Sequence, residues 1–414
     1  MSAFTRFFVL VLAAVALPAS AAPMGEADAR HLLGRAGIGT RPADVATFAG
    51  LSREAAIERL LAPTATGDPS PPPAELLDYV SPQRLRMLSE EERKEMRKRS
   101  GVALRAWWVD AMLRAPTPAD QLRERMTLFW HNHFVSSIEK VHSPKLMLEQ
   151  NRLLRLHALG NFGTLLHAVG KDPAMVVYLD SATNRKGSPN ENFAREVMEL
   201  FTLGEGNYSE HDIKEAARAF TGWSVEPETG EFRWRPFAHD DGEKTVLGSS
   251  GRFGGEDVLD ILLARPETAM FVVRKLWREF VSPEPEEREV MRIADRFRAS
   301  GYDMREALRG LLGSRAFWAP ENRLALVKSP VDWVVGTVNT LAVEPPEAPV
   351  LALALRQLGQ DLFAPPNVKG WPGGEAWINS NTLLARKQMA ERLLRREGKM
   401  NLREAMLDPA WQLK

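Results

Sequence analysis

NENFAREVMELFTLGEGNYSEHDIKEAARAFTGW, residues 190–223, carries the start and stop signals of two helices joined by a tight turn. Asn190 suits an N-cap, and Glu191 then sits in a first turn, where the helix dipole favours an acid. Gly204 is placed as a C′ stop. Ser209 caps the second helix, with Asp212 three positions on in a capping-box place. Gly222 ends it. In the first helix Phe193, Ala194, Val197, Met198, Leu200, Phe201 and Leu203 fill one broad arc at about 100° per residue. Glu196 falls inside that arc. Burying a lone carboxylate costs several kcal/mol unless it is paired or protonated, so the pattern predicts a partner for it. The plain reading is an ion pair or a capping contact. The functional one is a raised pKa or a metal ligand.

A second informative helix runs from Thr117 to Ser136, with Thr117 as cap and Pro118 at the first position. Its tail is MTLFWHNHF. Projected on a helix, Leu122, Met126, Phe129, Trp130 and Phe134 share a face, and His133 and Arg123 fall within it. His131 points away. These projections predict a contact between the two helices through His133 and Glu196, with Arg123 as another potential partner for the carboxylate.

Ser224-Val225 and Glu231–Trp234 alternate around a Glu228-Thr229-Gly230 turn, the one β-hairpin expected, within about 224–250. His239 and Asp240 follow it in a polar loop. From Glu256 helices return. Gly359–Gly374 is a Pro- and Gly-rich loop that holds Lys369 and Trp371, with Trp377 just beyond. Loops of that kind carry function more often than helix surfaces do, and tryptophan rings stack on sugars or plug a core. The fold class is therefore mostly α: a large multi-helix globular domain with one small hairpin.

Lys plus Arg and Asp plus Glu both number 54 in 414 residues. A neutral chain gives no sign of a nucleic-acid or anionic-membrane partner. There is no cysteine, which rules out disulfides and thiol chemistry. Residues 1–22 have the pattern of a secretory signal peptide: Arg6, an apolar run from Phe7 to Leu17 too short to span a bilayer, and Ala19-Ser20-Ala21 for cleavage. The expectation is export to a periplasm or the exterior, without stable membrane insertion after cleavage. Residues 23–62 read as N-terminal helices and 63–75 as a Pro-rich linker unlikely to pack. Residues 76–400 form the main helical domain, with 23–62 as part of the same unit, and 401–414 a C-terminal tail.

Six stretches together resemble the bacterial family called domain of unknown function 1800: HLLGRAGIG from His31, FWHNHF from Phe129, the stretch from Asn190 to Trp223, HDDGEKTVLG from His239, KSPVDWVVG from Lys328, and PPNVKGWPGG with Trp377. The resemblance implies a single helical unit and export. It also implies a partner from a second exported family of unknown function, numbered 1501. It carries no established activity.

Three functions fit these residues. The first is an exported binding or assembly protein whose inward polar residues, His133, Glu196 and Arg123, hold the core together. The second is a hydrolase acting on a glycan or other polymer. Glu196 would be its general acid with raised pKa, and His133 or Asp240 its companion. Arg123, Lys369, Trp371 and Trp377 would bind substrate. The third is a metal-dependent enzyme, with a divalent ion on His131, His133, Glu196 and His239, although no recognised zinc spacing joins them.

Overall fold

A computed structural model describes residues 22–65 and 67–414. The expected signal peptide at 1–22 lies, but for its last residue, outside the described residues. Among those described, 21 α-helices carry the fold, with four short strands. No helix there is long and apolar enough to cross a membrane. The strands make two antiparallel pairs rather than the single hairpin expected. β1 (Trp223–Val225) pairs with β2 (Phe232–Trp234), Trp223 opposite Trp234. β3 (Lys244–Val246) pairs with β4 (Ser249–Gly251). Leu247 and Gly248 turn the second pair, both with positive φ, as a two-residue hairpin turn requires.

The helix ends follow local chemistry. Ser209 and Asp212 form a reciprocal capping box, and so do Thr117 and Asp120. Gly204 stops the central helix at φ +78, its N–H donating to Met198 O. That helix begins at Asn192 rather than beside Asn190, whose Oδ1 accepts from the Asn192 N–H at 2.9 Å. From Val197 to Thr202 it widens into a π-helix. Such segments are rare and concentrate where a helix does something besides pack.

Two apolar cores lie on either side of the Pro118–His133 helix. Leu122, Met126, Trp130 and Phe134 join one core, with the N-terminal helices, the central helix and residues up to Trp318. Leu128 joins the other, with Trp108, Trp333, Phe363, Trp371 and Trp377. Every residue from Ala119 to Leu128 is buried. A helix enclosed this way has no solvent side on which to place polar residues, so each must find an internal partner.

The Pro-rich segment packs, contrary to expectation. Asp68 meets Arg152 at 2.8 Å and Arg155 at 3.5 Å. Ser70 O accepts from the Trp107 indole N–H at 2.8 Å. Proline keeps that stretch extended, and its carbonyls and acid are what the neighbouring helices use. Residues 401–414 likewise lie against the body. Leu413 bridges Val327, and the Lys414 side chain is only 7% exposed.

Candidate functional site

The predicted contact between His133 and Glu196 is not formed. His133 is buried, and both of its ring nitrogens are engaged elsewhere. Nε2 lies 3.1 Å from Phe201 O and Nδ1 3.1 Å from Lys275 Nζ. The Lys275 ammonium also donates to Leu200 O at 3.2 Å. A neutral ring that donates from Nε2 and accepts at Nδ1 satisfies both contacts. The helices do meet through His133, then, but at the backbone carbonyls of the π segment. Burial holds the His133 pKa well below the ordinary histidine range, with Lys275 adding to it. Burial also brings Lys275 down to about 8, aided by Arg278.

Glu196 is half-buried and has no hydrogen bond or ion pair among the described residues. Burial raises its pKa, and Glu199 one turn on adds to the rise, against Arg195 and Lys369. Arg123, offered above as its partner, reaches Asp120 at 3.6 Å and Gly67 O at 3.4 Å instead. Asp240, the other proposed acid companion, is clamped by Arg218 at 2.8 Å. That hydrogen bond holds its pKa at about 2. It is a structural counter-ion, not a proton donor near neutrality.

The three histidines of the metal reading do not converge. His131 is enclosed by the rings of Trp108, Phe363 and Trp371, with centroids 5.2, 5.3 and 5.7 Å from its own. Neither of its nitrogens has a partner, and burial takes its pKa to about 3. His239 sits across the molecule's β region, with Nδ1 2.9 Å from Thr221 O and its ring on Trp234. Among the described residues no group of three or more His, Asp or Glu side chains is placed to hold a metal ion. A single apolar face would point His131 outward, but the helix is sandwiched between two cores, and His131 faces the second.

The proposed substrate platform also divides. Trp371 and Trp377 are 4% and 6% exposed, so they are core residues and offer no open ring face. Asn132 fixes the first, its Oδ1 accepting from the Trp371 N–H at 2.7 Å. Lys369 remains exposed, 3.5 Å from Glu205.

What the periodicity did not single out is a cluster where HLLGRAGIG and KSPVDWVVG meet. Arg125 donates to Gly37 O at 2.9 Å, to Glu279 at 2.8 Å and to Asp332. Lys414 Nζ lies 2.9 Å from Asp332 Oδ2. Burial alone would raise the Asp332 pKa, but Arg125 and Lys414 outweigh it and hold the carboxyl far below the usual range. Beside this cluster is a cavity of about 330 Å³, lined by His31, Gly39, Arg323, Lys328 and Lys414 among others. The signal for it is the charge carried inside the two motifs, Arg35 in HLLGRAGIG and Lys328 with Asp332 in KSPVDWVVG.

The family model described as protein of unknown function (DUF1800) matches residues 31–412, nearly the whole chain, and the chain belongs to that family. Among curated proteins and solved structures, none matches it.

Proposed function

For this member of the DUF1800 family we propose an exported binding or assembly protein, with its inward polar residues serving the scaffold. The observation that carries this reading is the fate of Glu196's companions. His133 is held by Phe201 O and Lys275, Asp240 by Arg218, and Arg123 by Asp120. A glycosidase needs a second free carboxylate facing the first across the substrate, and none of the three companions supplies one. Export rests on the N-terminal Arg6, apolar run and Ala19-Ser20-Ala21. The family resemblance adds a second exported protein as the class of partner.

The test is turnover of purified peptidoglycan by the wild-type protein and Glu196→Gln. The expected result is no release of reducing ends by either. Release by wild type that Glu196→Gln abolishes would overturn the binding reading. It would establish the second one, a hydrolase with Glu196 as general acid. One observation favours that alternative: Glu196 is unpaired, and its pKa is raised.

A further inference from the structure

The cavity between the His31 and Lys328 motifs is surrounded by more positive charge than the protein neutralises. Arg323, Lys328 and Lys414 line it, with the Asp332 carboxylate in the same wall, and Arg35, Arg125 and Arg386 lie behind that lining. The carboxylates that pair with them are Asp28, Glu279 and Asp332. Asp28 is shared further, with Arg53 at 2.6 Å.

Three of the cations have no carboxylate at all. Arg35 donates to Phe280 O at 3.0 Å, Val281 O at 2.8 Å and Asn322 O. Arg386 donates to Gln412 Oε1 at 2.8 Å and Lys328 O at 3.0 Å. Lys328 donates to Trp411 O at 2.8 Å and lies over that indole ring. Carbonyls and a ring face orient a cation but do not neutralise it. An ammonium has three donors, and the one protein acceptor at Lys328 Nζ leaves two of them for other partners.

Burying an uncompensated charge is costly, and the three cations without a carboxylate register this. Burial takes Arg35 and Arg386 down to about 10 and Lys328 to about 8. His31, in the same wall, is brought to about 4, first by burial and then by Arg35 and Arg323. Its Nε2 faces Phe317 O at 2.7 Å, so it adds no counter-charge. A cavity of about 330 Å³ is of the size that holds a small molecule.

We propose that this cavity binds a small multivalent anion, a phosphate- or polycarboxylate-bearing molecule, with Lys328 and Arg323 as its principal contacts. Arg323 keeps guanidinium donors beyond the one used on Asp28, and a guanidinium fork fits either a carboxylate or a phosphate oxygen pair. Lys328 supplies a point charge on the cavity wall. Arg30, already tied to Glu26, stands at the rim. The site lies apart from Glu196, so it holds whether or not the protein has the role proposed above.

Thermal melts and titration calorimetry of the purified protein would test this, with inorganic phosphate and citrate in separate arms and sodium chloride at matched ionic strength as control. Wild type is expected to melt higher with rising phosphate or citrate, and not with chloride. Lys328→Met should bind at least about tenfold more weakly, the loss of one charged hydrogen bond. Without anion it should melt at or above wild type, because it removes a buried uncompensated cation. Arg323→Gln should weaken binding as well, and Arg53 still covers Asp28 there, so the test survives if the lysine variant does not fold. A response to phosphate alone assigns a phosphoryl ligand, and to citrate alone a polycarboxylate. No response beyond chloride in wild type, or affinity unchanged in both variants, overturns the proposal.

Discussion

Gly39 and Gly336 touch backbone to backbone: a Cβ built on Gly39 would lie 2.4 Å from Gly336 O. Gly39 also has φ +87. This contact seats the first motif on the helix of the fifth, and Asn339 secures it by donating to Ile38 O at 2.7 Å. Gly39→Ala would meet both a left-handed backbone and a clash with main-chain atoms that cannot swing away. A loss of about 3 kcal/mol or more is expected. Equilibrium denaturation measures it, and an unchanged midpoint would contradict the packing described.

Asp332 joins the Pro330–Leu341 helix to the Pro118–His133 helix through Arg125, and also accepts from the Ser329 N–H at 3.1 Å. Asp332→Asn leaves Arg125 and Lys414 facing each other with one carboxylate, Glu279, between them. Breaking a buried pair from one side costs about 3–5 kcal/mol. A urea-unfolding difference under about 1 kcal/mol would mean that water solvates Arg125 and Lys414 there and the pair with Asp332 contributes little.

The enclosed histidines, His131 and His133 buried and His31 partly so, set an acid limit. His31, His131 and His133 all have depressed pKa values, chiefly through burial. Below about pH 6.5 the unfolded chain takes up protons at these positions that the folded chain refuses. The unfolded state then binds more protons, so stability falls as pH falls. The expected slope approaches about 1.4 kcal/mol per pH unit for each histidine, from about pH 6.5 down toward 4. Unfolding free energies at pH 7.5 and 5.5 would show it. Equal values would mean that the histidines are hydrated or paired in solution. Asp332 acts at lower pH. Its depressed pKa contributes stability above about pH 4 that is lost on further acidification.

Asn132 is the link between FWHNHF and the PPNVKGWPGG loop. Gly370, at φ +86, brings the loop so close that a Cβ there would sit 2.2 Å from Asn132 Oδ1. Asn132→Ala removes the acceptor of the Trp371 N–H and leaves that donor buried. A cost of about 1–3 kcal/mol is expected. Amide exchange at Trp371 should quicken selectively, and unaltered protection would show that a different group holds the loop.

Much of the helical framework was legible from residues three or four apart. Ser209 with Asp212 is a capping box that forms as read, Thr117 caps its helix as expected, and Gly204 stops its helix. The first hairpin appears where alternation placed it. The second gives no such signal, because Ser249-Ser250-Gly251 carries no apolar residue with which an alternation could be built. The candidate site was far less legible. Glu196 proved to be half-buried, without the predicted partner. His131 and His133 proved to be buried on opposite sides of one helix.

Sequence alone placed these helix ends to within a few residues, because a cap or a stop is completed within one turn of chain. It also determined the fold class, since those signals recur along nearly its whole length. Only the tertiary structure decided what each polar side chain meets. Projection assumes one buried face, and the Pro118–His133 helix has none exposed from Ala119 to Leu128. The charged cluster beside the cavity draws together Arg35 and Asn322, 287 residues apart, and Arg125 and Asp332, 207 apart. Charges at such separations are brought together by how helices cross, and no local period encodes that crossing.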